Sequence, residues 1–246
     1  MKQLIHKAKN IFSGYYYFLL ICLILLFIFK PFVNNIIYIS AWKLLFSVMV
    51  LSSIFNVDHN PFVRIVAYIL VLPTILFCFL DLIYPCPLFF ILNVLSTTIF
   101  LFACTSSILF DVVLRAKVTL ETLRGVICAY FMIAFAFGYT FYLVEYLVPG
   151  SFRMIGAALS PYDYAHYLSQ LFYFSFITLL TIGFGDITPL RSLSQTLTVI
   201  EGIIGQFYIA ILVARLVSVY SVYRDDHAFS RTKGLKKPTS KESSPI

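Results

Sequence analysis

Charge is what this sequence has least of. Asp, Glu, Lys and Arg make up 12% of its 246 residues, against 61% hydrophobic residues and a mean hydropathy of +0.92. A soluble domain of this length could not hide that much apolar surface, so the composition requires lipid as solvent. Cysteine is also sparse. Cys22, Cys78, Cys86, Cys104 and Cys128 follow no metal-ligand spacing, and all but Cys86 lie inside apolar runs. They read as small buried hydrophobes, which excludes a disulfide framework. Paired-carboxylate spacing, a His/Cys ligand set and a phosphate loop are all missing, so the chain is not read as an enzyme. The first apolar run is expected to be a membrane helix and not a cleavable leader. Lys2, Lys7 and Lys9 precede the apolar run Phe18–Phe29, but Lys30-Pro31-Phe32 follows where small residues would be needed.

What the chain does have is long apolar runs and many aromatics, 26 Phe and 17 Tyr, with Tyr suited to membrane–water interfaces. A helix needs about 20 apolar residues to cross roughly 30 Å of hydrocarbon. Runs of that kind lie at about 14–33, 36–56, 62–80, 88–110, 122–147 and 194–220. A seventh run, about 167–182, is too short to span and ends in a glycine-containing stretch, so it is predicted to re-enter rather than cross. The fold class is therefore an all-α membrane protein of six spans and one re-entrant segment.

The basic residues orient these spans. With the N-terminus in the cytoplasm, 13 Lys and Arg fall inside, from Lys2 to Arg124 and along the tail. Lys30, Arg153 and Arg191 fall outside; Lys43 and Arg215 lie within spans. That asymmetry places both termini in the cytoplasm of a multi-pass plasma-membrane protein. It also accounts for the net charge of +7 without nucleic acid, because the bases cluster at the chain ends and between apolar runs. Four regions follow: an accessory transmembrane region at 1–110, a cytoplasmic linker at 111–122, a further domain at 123–220 and a polar, partly disordered tail at 221–246. Within the linker, Thr119 is placed to cap the fifth span, with Glu121 favourable in its first turn.

The stretch Phe176–Pro189, FITLLTIGFGDITP, interrupts the apolar pattern. Aiming successive carbonyls to one side requires every other residue to adopt a conformation that L-residues resist, and glycine reaches it cheaply. In Thr181-Ile182-Gly183-Phe184-Gly185 the glycines alternate with side-chain-bearing residues. Such a segment offers a column of carbonyl oxygens, with the Thr181 hydroxyl as one more, to a dehydrated monovalent cation. Five extended residues reach at most about 17 Å. The short helix before them points its carboxyl end, and its partial negative charge, at mid-membrane. One copy cannot surround an ion. Four copies would supply cages of eight oxygens.

TIGFGD, Thr181–Asp186, resembles the potassium-channel selectivity filter usually written TVGYGD, with Ile182 where Val is commoner and Phe184 where Tyr is commoner. Span, turret, short helix, filter and span follow in that family's order from about Gly125 to Tyr220. The resemblance implies a homotetrameric, K+-selective channel in membrane lipid. The permeant K+, held by Thr181, Ile182, Gly183 and Phe184, would be its ligand in place of a cofactor. It implies that Glu145 braces the filter, that Asp186 fixes its outer end and that Gly205 is an inner-helix hinge. EGIIGQFYIAILVARLV, Glu201–Val217, is similar to inner helices of prokaryotic members. A weakly selective cation pore, or a non-conducting scaffold that keeps the pore module, are the alternatives.

Several residues in the last span admit two readings. Glu201, an acid within the membrane, either attracts cations from a cavity wall or stays protonated against the short helix. Gln206 faces a cavity or bonds a neighbouring helix. Gly202 is a packing glycine or a second hinge. Ile209, Val213 and Val217 form apolar gating rings or ordinary packing. The fourth span, Pro87–Phe110, contains no Lys or Arg. A voltage sensor needs several charges, each worth about 2.3 kcal/mol per 100 mV, so steep voltage gating is not expected.

Overall fold

The computed structural model describes residues 15–29, 61–84, 86–114, 120–155 and 164–234. The run at 36–56, with Lys43, and the loop residues His59 and Thr119 lie outside the described residues. In chain order the elements are α1 (Tyr15–Phe29), α2 (Pro61–Ile83), α3 (Pro87–Leu114) and α4 (Leu120–Leu147). They are followed by β1 (Phe152–Met154), α5 (Tyr164–Leu179), β2 (Ile187–Pro189) and α6 (Ser192–Gly234). The chain divides into two compact units, Met1–Tyr208 and Ile209–Ile246.

The molecule is mostly helical, and three of the described helices are long and apolar enough to cross a membrane: Pro87–Phe110, Thr122–Leu147 and Ser192–Leu212. The apolar stretches Tyr16–Ile28 and Ile69–Leu80 are shorter. α5, at 16 residues, measures about 24 Å by the helical rise and falls short of the hydrocarbon thickness. α6 continues to Gly234, beyond Tyr220, where the composition turns polar.

Within the first unit α4 is the hub, with α1, α3 and α5 packing along it, while α2 packs on α3. Its sequence suits that position. Apolar residues run all round the helix, and from Met132 to Tyr139 every side chain is buried. Between α1, α4 and α5 the contact is largely aromatic. The Phe27 ring meets Phe176 at 5.0 Å, Phe135 meets Phe172 at 5.2 Å and Phe176 at 5.4 Å, and all three pairs are edge-on. Such pairs contribute about 0.5–1.5 kcal/mol each beyond their area.

Several hydroxyls on α3 bond to the helix's own carbonyls, as lipid surroundings favour, while the buried Thr105 Oγ1 has no partner among the described residues. The hydroxyls of Thr98, Ser106 and Ser107 donate to the carbonyls of Val94, Phe102 and Ala103, all at 2.8 Å.

Gly138 sets the distance between α4 and α5. A Cβ there would stand 2.3 Å from Phe172 Cδ1 and 3.2 Å from Phe172 Cα, so both side chain and backbone obstruct it. Gly138→Ala is expected to cost about 1–3 kcal/mol, as overpacking does. A lowered thermal midpoint of the purified protein would register it, and an unchanged midpoint would count against this packing.

Among the described residues, the two strands are a feature that the pattern of apolar runs does not anticipate. β1 and β2 pair antiparallel, with Phe152 opposite Pro189, Arg153 opposite Thr188 and Met154 opposite Ile187. This ribbon joins the loop after α4 to the segment that follows the glycines.

Candidate functional site: the glycine segment and its supports

α5 ends by folding its own chain back on itself. Thr181 N donates to Thr178 O at 2.9 Å, and Ile182 N donates to Ile177 O at 2.8 Å. That pair of bonds is a Schellman cap. Its turning position, ordinarily glycine, is here Thr181, with φ +59°. A β-branched residue resists this conformation, and backbone outliers of that kind gather at functional sites. The left-handed values then recur at Gly183, +56°, and Gly185, +80°, but at neither Ile182 nor Phe184. Left-handed residues thus alternate with ordinary ones over the whole of 181–185.

All five of these residues are exposed within the single chain, Phe184 to 70%. No atom lies within 4 Å of a Cβ built on Gly183 or Gly185. Glycine is needed at these two places for backbone conformation, not for space.

The segment is anchored at its far end. Asp186 O accepts from Ile155 N at 2.9 Å, and Asp186 Oδ1 accepts from Ile187 N at 3.1 Å. The Tyr173 hydroxyl on α5 donates to the Asp186 carboxylate. One residue therefore holds the end of the segment to both the ribbon and the short helix.

Glu145 acts one step further out. Its two carboxylate oxygens accept from Gly150 N at 2.8 Å and Phe152 N at 3.0 Å, which fixes the turn leading into β1. The Tyr167 hydroxyl on α5 also bonds it. Glu145 makes these contacts to the turn, the strand and α5, and the ribbon carries the connection on to Asp186. Hydrogen bonds to a charged group are worth about 1.5–3 kcal/mol. Glu145→Ala should therefore lower the thermal midpoint clearly, and Glu145→Gln less, because its amide keeps one acceptor oxygen. Equal midpoints for Glu145→Ala and the parent protein would remove Glu145 from this role.

On α6, the described residues of the first unit separate into two faces. Glu201 and Gly205 are buried, whereas Gln206 is exposed within the single chain. Gly205 lies against the carboxyl end of α5, where an added Cβ would stand 2.5 Å from Leu179 O. The same carbonyl accepts from the Tyr130 hydroxyl at 3.0 Å. Close approach thus gives Gly205 a task apart from hinging. Gly202 meets nothing within 4 Å. In the second unit Ile209 is exposed, and the side chains of Val213 and Val217 lie outside the described residues. Further toward the N-terminus of α6, the Ser194 hydroxyl donates to Ser151 O at 2.9 Å, tying this helix to the turn that Glu145 holds.

Glu201 does not face open space. Its side chain is fully buried, with Oε1 in hydrogen-bond contact with Ser175 Oγ on α5. Of its two sequence readings, the contact with the short helix is the one that the geometry favours. Ser175, Tyr130, Tyr167 and Tyr173 were not singled out by sequence. Each bears a hydroxyl on an apolar helix, and that was the signal available.

A protein-family model described as an ion channel matches residues 152–222, which takes in β1, α5, the glycine segment, β2 and the apolar part of α6. No curated protein and no solved structure matches the chain. The matched segment and the apolar helices support a membrane-embedded, multi-pass protein with an ion-channel domain and a part in ion transport.

Proposed function

We propose that four copies of this chain assemble into a potassium-selective channel in the plasma membrane, with both termini cytoplasmic. The observation that carries the proposal is the alternation of left-handed backbone at Thr181, Gly183 and Gly185, directly after a helix too short to span. Alternation of this kind is what aligning successive carbonyls requires. Four aligned columns replace the hydration shell of a K+ ion with dipoles, using Thr181, Ile182, Gly183 and Phe184 as ligands. Asp186 and Glu145 support the column; Gly205, Gln206, Ile209, Val213 and Val217 belong to the inner helix that lines the path below it.

Assembly is part of the proposal because the segment is exposed on one chain and, along Ser192–Leu212, only Ser194, Glu201 and Gly205 are buried within it. Conduction is passive. The absence of Lys and Arg from Pro87–Phe110 argues against steep voltage gating.

The test is ion flux from liposomes containing the purified protein, followed by reversal potentials in mixed potassium and sodium. Potassium flux with a reversal potential that follows the potassium gradient is expected. Equal permeability to the two ions would leave a weakly selective cation pore, and absence of flux at every pH and voltage would overturn conduction.

A further inference from the structure

Glu201 is the one fully buried carboxylate among the described residues. Its surroundings determine where its proton is. Ser175 Oγ contacts two oxygens at once: Glu201 Oε1 on α6, and Ala134 O on α4 at 2.6 Å. A serine hydroxyl owns a single hydrogen. A backbone carbonyl can only accept, so the contact with Ala134 needs the serine hydrogen. Were that hydrogen given to Glu201 instead, two acceptor oxygens would face each other at 2.6 Å in a buried position. With the serine hydrogen spent on Ala134, the contact with Glu201 needs a hydrogen from Glu201 itself.

The second oxygen agrees with this assignment. Among the described residues, Glu201 Oε2 has no hydrogen-bond partner. In a neutral acid that atom is an ordinary carbonyl acceptor, whose burial costs a modest amount. In a carboxylate it would carry half of an uncompensated charge in an apolar interior, which costs far more. The charged and titratable surroundings do not reverse the balance. α5 presents the neutral Ser175, and on α4 the Tyr130 phenol, which also feels Glu201, brings no positive charge.

We infer that Glu201 is a protonated, neutral carboxylic acid that donates to Ser175, which in turn donates to Ala134 O. Two hydrogens in series, the acid's and the serine's, thus join α6 to α5 and α5 to α4. Glu201 is then a positioning residue, not a cavity charge: it sets the inner helix against the short helix four residues before Gly205 meets Leu179. The geometry holds whether or not the chain conducts.

The test is infrared spectroscopy of the purified full-length protein in membranes, at neutral pH, against E201Q. The parent protein is expected to show the carbonyl stretch of a protonated carboxylic acid, absent from E201Q and shifted in S175A, where the acid loses its acceptor. Thermal midpoints supply a second readout. E201Q should stay close to the parent, because an amide donates to Ser175 as the acid does, whereas E201A should fall. If E201Q instead removes only carboxylate bands, or destabilises as much as E201A, Glu201 is ionised and the inference is overturned. A protein with no ion flux but with the acid band intact would overturn the channel reading and leave this one standing.

Discussion

Gly183→Ala is expected to abolish cation flux from liposomes while the protein still folds and elutes as the same oligomer. Steric crowding is not the reason, since nothing lies within 4 Å of the added Cβ in the chain. The reason is the φ of +56°. An L-residue held in the left-handed region costs about 1–2 kcal/mol, and a closed ring of four would pay it four times over. The segment can shed that cost by rotating the peptide until φ becomes negative, which turns a carbonyl out of the column. Within the chain the rotation is opposed by one longer bond, Gly183 N to Ile177 O at 3.3 Å, and 181–185 is otherwise exposed there. The rest of the fold should not notice the change. Unaltered flux in Gly183→Ala would sink the carbonyl-column mechanism, and loss of the oligomer would assign Gly183 to assembly.

The backbone requirement at Gly183 and Gly185 was legible in the sequence because glycine alternation is a local signal. The short helix was legible for a similar reason. An apolar run of that length cannot span, and α5 is indeed 16 residues long. Thr181 was less legible. Its left-handed backbone arises from capping α5, and no residue-type rule expects a β-branched residue there. The ribbon could not be read at all. Its strands are three residues each and lie more than 30 residues apart in sequence, so neither shows a period of its own. Glu201 shows where sequence stops. An acid in an apolar helix announces a purpose, but only the positions of Ser175 and Ala134 decide between a cavity wall and a buried tie.

Two glycines three residues apart on α6 give the second large effect. Gly205→Ala puts a Cβ 2.5 Å from Leu179 O, and this neighbour is backbone, held in turn by the Tyr130 hydroxyl. A flexible side chain could swing aside; the carboxyl end of α5 cannot. Either α6 lifts from α5 or α5 tilts, and both displace the segment that begins two residues after Leu179. The expected result is a marked loss of thermal stability together with loss of flux. Gly202→Ala is the matched control. No atom lies within 4 Å of its Cβ, and replacing a mid-helix glycine by alanine gains up to about 1 kcal/mol of helix propensity. That variant should melt no lower than the parent. A hinge and a close-packing glycine differ in what restores them. Were Gly205 needed only for bending, moving the glycine to position 206 in a Gly205→Ala, Gln206→Gly double variant would recover stability. Close packing predicts no recovery, because the Cβ at 205 still meets the Leu179 carbonyl.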